Sequence, residues 1–211
     1  MKYLVRIMPL VFFIVLFSCN SDFTPRPRSY FDIEVPKKDY QLFNQAGYPY
    51  SFEYPVYANI SKEVDSSQND LYWINIDFKG FNGRIYLSYK DLNGYSIYKI
   101  KTASGYRDSA VKNTFEGLRE EAYKMTFKHT VKSSGIIDSV FRTPNGLGGV
   151  YFYVGGDAAT SRQFFMTDTN RHFVRGALYF DASPNADSIS VVSNFLDADM
   201  KHLISTFRWN K

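Results

Sequence analysis

Val150-Tyr-Phe-Tyr-Val-Gly-Gly-Asp-Ala-Ala-Thr-Ser-Arg-Gln-Phe-Phe-Met-Thr-Asp-Thr-Asn-Arg-His-Phe-Val-Arg-Gly-Ala-Leu-Tyr-Phe-Asp181 decides the fold. It holds three runs dense in aromatic and β-branched residues: Val150–Val154, Gln163–Thr167 and His172–Asp181. Each is short for a helix and suits a pleated, buried backbone. The connections contain Gly155-Gly156-Asp157 and Asp168-Thr-Asn170, residues that favour turns. Links this short join antiparallel neighbours, because a parallel return needs a crossover of a dozen residues or more. Ile136–Phe141, set off by Pro144-Asn-Gly146, adds a fourth strand on the N-terminal side.

Working outward, Val111, Phe115, Leu118, Ala122 and Met125 recur at spacings of four, three, four and three. They predict a long amphipathic helix of about five turns, with Asp108 and Ser109 as N-caps and Ser133-Ser134-Gly135 as its stop. Lys124, Lys128 and His129 would complement the negative end of its dipole. Residues 91–107 read as a loop with one short strand. Earlier strands are expected at Tyr50–Tyr54, Val56–Ile60, Leu71–Phe78 and Arg84–Tyr89, the last two joined through Asn82-Gly83, a hairpin turn signal. After Pro184-Asn185, Ser188–Val192 reads as a short strand. A C-terminal helix follows from about Asp197 to Phe207, with Asp197 and Asp199 at its positive end. The order implies an α+β domain: a mostly antiparallel twisted β-sheet with a long central helix and a C-terminal helix packed on it. It resembles a PsbP/Mog1-like sandwich, a likeness of fold that says nothing by itself about activity.

The N-terminus tells where the chain goes. Lys2 and Arg6 flank an apolar run from Ile7 to Phe17, too short to span a bilayer as a helix. It fits the hydrophobic core of a signal peptide. Leu16-Phe17-Ser18-Cys19 resembles a lipobox, and Cys19 is the only cysteine. The expected organisation is a lipoprotein signal peptide at 1–18, a lipidated tether at 19–29 containing Pro25 and Pro27, and a single globular α+β domain at 30–211. Cleavage removes Lys2 and Arg6, so the net charge falls from 25 − 21 = +4 to 23 − 21 = +2. That balance, with no basic stripe, excludes a nucleic-acid footprint. A lipidated Cys19 leaves no disulfide and no thiolate metal site.

A search for catalytic chemistry returns little. No His-x-x-x-His pair is present, and Asp91-Leu-Asn-Gly94 lacks the further ligands of a calcium loop. Gly146-Leu-Gly-Gly149 has no lysine-bearing helix start behind it, so no cofactor is expected. Ser161, Asp168 and His172 can be drawn as a triad, but no Gly-x-Ser-x-Gly elbow surrounds Ser161. Asp168 and His172 can be drawn equally well as a pair bonded across one turn. Glu120-Glu121 reads as a solvated face and His202 as a boundary residue. Arg162, Asp168, Arg171, His172, Arg175, Asn185 and Asp187 gather near turns of the C-terminal strands, as a structural network or a docking surface. Arg175, inside an apolar strand, is expected to pair with a carboxylate if buried.

Several segments in order resemble the gliding-motility lipoprotein family GldD. They are Pro25-Arg-Pro-Arg-Ser-Tyr-Phe31, Pro49-Tyr-Ser-Phe-Glu-Tyr-Pro55, Leu87-Ser-Tyr-Lys90, Lys128-His129, Gln163–Asp168, His172–Phe180 and Pro184–Ser188. The resemblance implies a Bacteroidota source and a role in gliding and the linked type IX secretion system. It carries over no catalytic residues. It further implies that relatives often hold cysteines where this chain has Tyr48 and Tyr72, and histidine in place of Tyr86. Asp108-Ser109-Ala110, Asp138-Ser139-Val140 and Asp187-Ser188-Ile189 resemble the O-glycosylation sequon of exported Bacteroidota proteins, at Ser109, Ser139 and Ser188.

The expectation is therefore a non-enzymatic accessory lipoprotein. It would dock to other gliding and type IX secretion lipoproteins and envelope components, facing the periplasm from the outer membrane. A glycan- or peptide-binding lipoprotein and a small hydrolase using Ser161, His172 and Asp168 are the alternatives.

Overall fold

The computed structural model describes residues 34–62, 71–181 and 186–210, without the side chains of 186–188. The signal peptide, Cys19, the tether and Asn185 lie outside the described residues. Strands β1 (Tyr40–Phe43), β2 (Tyr50–Pro55), β3 (Asn59–Lys62), β4 (Ile74–Phe78) and β5 (Gly83–Asp91) come first. They are followed by β6 (Tyr95–Thr102), β7 (Gly105–Lys112), helix α1 (Phe115–Phe127) and β8 (Ser133–Arg142). Then come β9 (Gly148–Gly156), β10 (Thr160–Thr167), β11 (His172–Phe180), helix α2 (Ala186–Thr206) and β12 (Arg208–Trp209).

The seven-stranded sheet runs β3-β4-β5-β11-β10-β9-β8, and every pairing in it is antiparallel. Its centre is the stretch that opened the sequence reading, with Phe165 opposite both Arg175 and Val150. Because side chains alternate, Phe164, Met166, Val174 and Leu178 enter one core, and Phe165 and Phe173 enter a second on the opposite face. Gly176 is required at its place: a Cβ there would lie 2.2 Å from Cε1 of Phe164 on the neighbouring strand.

The first core lies under α2. Val192, Leu196, Met200, Leu203 and Phe207 are buried along it at helical spacing. A small sheet, β1-β2-β12, closes this layer with Tyr50, Phe52 and Phe207 stacked at 5.4 to 6.0 Å between centroids. Tyr48 and Tyr72, the positions where the resemblance implies paired cysteines, meet edge to face at 5.8 Å. The second core lies under α1, where Leu118 and Ala122 pack with Val150, Phe152, Phe165 and Phe173.

The α+β class and the antiparallel sheet agree with the sequence reading; the lengths of the helices do not. The central helix has 13 residues and the C-terminal helix 21. Thr114, not Asp108 or Ser109, is the N-cap, its hydroxyl accepting from the Gly117 N–H at 3.1 Å. Residues 95–112, expected as loop and first helical turns, form the β6–β7 hairpin. Alternation explains the first strand, where exposed Tyr95 and Ile97 flank buried Ser96, and Val111 pairs with Ser96 across the hairpin instead of starting a helical stripe. Ser188–Val192 is helix, not strand. The β-branched residues there favour extended chain, but half-buried Ile189 and buried Val192 and Leu196 continue the core-facing stripe of α2 upstream, and packing overrides propensity.

That extension moves Asp197 and Asp199 from the start of a helix to its middle. Asp199 is 1% exposed on the core side of α2. Its carboxylate takes Lys38 Nζ at 2.6 Å, Tyr40 Oη at 3.0 Å and the hydroxyl of Tyr57. Lys38 also donates to the Phe195 carbonyl at 2.9 Å and sits 3.3 Å from the Phe195 ring centroid. Burial pushes the Tyr40 hydroxyl up to about 12, helped by Asp199, so it stays a donor. One carboxylate thus pins β1 and the β2–β3 turn onto α2. Replacing one partner of such a pair strands the other, at about 3 kcal/mol. Asp199→Ala is expected to lose about that much stability in urea denaturation. A Leu42→Ala control, on an exposed side chain, should change stability little.

Candidate functional site

The described side chains among the sequence-selected polar residues, Arg162, Asp168, Arg171, His172 and Arg175, do not form one site. Arg162, at the start of β10, turns to α2, where Nε reaches Asp197 at 2.9 Å and a terminal nitrogen reaches Asn194 at 2.7 Å. Asp197 also takes Tyr151 Oη and Lys201 Nζ, each at 2.7 Å. Burial opposes its charge, but Lys201, Tyr151 and Arg162 hold the carboxyl below the usual range. This is a structural network. Arg171 is exposed on the β10–β11 turn, and Asp187 lies in the first turn of α2, its side chain outside the described residues.

Asp168 and His172 are joined through the backbone. One Asp168 carboxylate oxygen accepts the N–H groups of Asn170, Arg171 and His172 at 3.1, 2.9 and 2.9 Å. Burial works against the ionised form, but these three donors keep its pKa low. The His172 ring points the other way, stacked on Trp209 at 4.7 Å with Nδ1 2.7 Å from Tyr89 Oη. Ser161 stands at the far end of β10, roughly 20 Å away at the rise of a strand. Its hydroxyl is buried with no partner among the described residues. The three residues are not brought together as a triad.

Arg175 corrects the sequence expectation. Its guanidinium is largely buried, yet it meets no carboxylate within salt-bridge range among the described residues. It donates instead to the amide oxygen of Gln163, which also takes the Thr126 hydroxyl at 3.1 Å. Sequence reasoning passed over Gln163 because it fits the strand pattern; a fully buried amide opposite an arginine was the available signal. His129 was expected as a cation at a helix end. It does follow α1 directly, in a 3₁₀ turn near Arg175 and Tyr179, but burial together with Arg175 and Lys128 lowers its pKa and opposes the cation.

Two hollows meet at Arg175. One, about 280 Å³, lies between α1 and β4–β5, with Trp73, Leu118, Met125 and Phe173 in its walls. The other, about 860 Å³ and more open, continues past Tyr86 and Tyr179 to Asp181. Among the described residues no group of three or more His, Cys, Asp and Glu is placed to hold a metal, and no helix is long and apolar enough to cross a membrane.

The free surfaces are the remaining feature. β8 is an outer edge of the large sheet, with Ile137 69% and Val140 80% exposed. Its ten residues contain no lysine or proline, the residues that usually discourage edge pairing. A register shift near Ser133 and Gly135 disturbs only its first turn of pleat. Ser139 is exposed on the same strand, and Ser109 is half-buried on β7. The β6–β7 hairpin exposes Tyr95, Ile97, Ile100 and Tyr106.

A family model described as gliding motility lipoprotein GldD matches residues 20–209. The chain belongs to that family. No curated protein matches. Among solved structures, the solution structure of cyanobacterial PsbP from Synechocystis sp. PCC 6803 is similar, with a TM-score of 0.43 and 11% identity over 83% of this chain and 95% of that one. GldD membership makes the chain a gliding motility lipoprotein, associated with a membrane of the cell envelope.

The titratable groups of the turn give a pH signature. His172 and His129 have pKa values below the ordinary 6.5, first through burial, so below about pH 6.5 the unfolded chain binds protons that the folded chain resists. Stability should therefore fall as pH drops from 7 through the folded values. Asp168 adds stability above its ordinary 3.8 that is lost as pH falls through its lower folded value. In chemical denaturation, His172→Phe is expected to flatten the first slope, and Asp168→Ala the second.

Proposed function

We propose that this lipoprotein is a non-catalytic docking component of the gliding machinery and its linked type IX secretion system. Cys19 would carry the lipid, and the folded domain would hold another envelope component by adding that component's strand to β8. The observation that carries this reading is the β8 edge: among the described residues no strand pairs with its outer side, and Ile137 and Val140 are exposed on it. An edge of this kind is a template for a further strand, with main-chain bonds giving affinity and alternate side chains giving selectivity. The β6–β7 hairpin offers a second contact. Two strands alone are marginal in water, so exposed apolar side chains there gain from being covered.

The domain is proposed to face the periplasm from the outer membrane. Asn20-Ser21-Asp22 holds a single acidic residue after Cys19, which supports retention over export to the cell surface. Ser109, Ser139 and Ser188 remain proposed O-glycosylation positions; a glycan on Ser139 would sit on β8 itself and block strand addition there.

The test is complementation of a deletion strain, read as colony spreading and secretion. Ile137→Lys with Val140→Lys should leave melting unchanged and abolish spreading, because charge on an exposed edge discourages pairing. Ser161→Ala should rescue fully. Cys19→Ser should leave the domain folded and impair spreading. A deletion strain that spreads and secretes normally, or full rescue by the β8 double variant, would overturn the docking reading.

A further inference from the structure

Arg175 differs from the other cations near the cores. Lys38, Arg84, Lys90, Arg162 and Lys201 each meet a carboxylate within 3.1 Å. Among the described residues Arg175 has neutral partners instead, the Gln163 amide oxygen and the Tyr179 hydroxyl. The acid that acts on it, Glu121, is already held by Lys90 at 3.1 Å and by the Tyr98 hydroxyl at 3.1 Å. The lining of the smaller hollow therefore carries Arg175 and Lys90 against Glu121, a net charge of +1.

We propose that this hollow binds a carboxylate carried on a small apolar or aromatic body, with Arg175 as its receptor. A guanidinium fork matches a carboxylate in two parallel hydrogen bonds, stronger than bonds between neutral groups. A buried cation without a counter-charge is costly to keep, and an incoming carboxylate supplies the missing charge. Gln163, fixed by Arg175 on one side and Thr126 on the other, orients the fork across the strand. Trp73, Leu118, Met125 and Phe173 give the body of the ligand an apolar wall. A volume of about 280 Å³ suits an object the size of one amino-acid side chain, at the lower end of small-molecule sites. The site lies at the β4–β5 end of the sheet, away from the β8 edge, and does not depend on strand addition there.

The carboxylate can come from a free acid or from the side chain of a peptide, and two probes separate them: phenylacetate and acetyl-Phe-Glu-amide. Both are titrated into the full-length lipoprotein in detergent, with the Trp73 indole N–H as the NMR reporter, since it is fixed by a 2.9 Å bond to the Tyr89 carbonyl. Saturable shifts at Trp73 with either probe support the site, and the tighter probe identifies the source. Phenylacetamide, which lacks the charge, should bind about tenfold or more weakly. Arg175→Gln should weaken binding by a similar factor. Met125→Trp keeps the arginine, fills the hollow and should also abolish the shifts, so a poorly folding Arg175 variant leaves the test intact. No saturable shift with either probe, equal binding of phenylacetamide, or undiminished binding to Met125→Trp would overturn the proposal.

Discussion

A seven-stranded sheet has two faces to cover, and among the described residues two helices of unequal length cover them. At 1.5 Å per residue, α2 extends about 32 Å and α1 about 20 Å. The longer helix, helped by β1, β2 and β12, closes its face with an aromatic core. The shorter one covers β9, β10 and β11 and stops. The uncovered remainder over β4 and β5 is where the hollows lie and where Arg175 keeps its unusual company. The position of the hollows therefore follows from a mismatch of helix lengths.

Much of this frame could be read from residue order. The three runs between Val150 and Asp181 have one sensible arrangement, because their links are too short for any return but a hairpin. The helices were harder to bound. Val111 alternates with Ser109 and repeats with Phe115, so local pattern alone fits both a strand and a helix. Only pairing with β6 resolves it. At Ile189–Val192 the β-branched residues argued for a strand while their spacing to Leu196 argued for a helix. Tertiary burial decided for the spacing. Once α2 starts at Ala186, Asp199 falls in the apolar stripe, and a helix-end charge becomes a buried clasp.

The polar residues were legible as individuals and not as partners. Asp168 and His172 are near in sequence and joined, but by the backbone of a turn and not by their side chains. Arg162 finds its acid 35 positions away on α2. Arg175 was correctly singled out as a charge inside a strand, yet it faces an amide and a tyrosine, and Glu121, the acid acting on it among the described residues, is committed to Lys90. Such pairings depend on which helix face meets which strand, and no local window contains that information. The family match supplies the functional frame that the polar residues alone do not.

The clasp at Asp199 also sets where mechanical load enters the domain. A pull along the chain toward its N-terminus, the direction in which a lipid anchor would act, arrives first at Lys38 and Tyr40. Both are bound to one carboxylate in the middle of the longest helix, and β1 behind them is laced along β2. Tension would thus be handed to the core of the fold and not to a fraying end. A domain built this way can stay folded while its attachment is under strain.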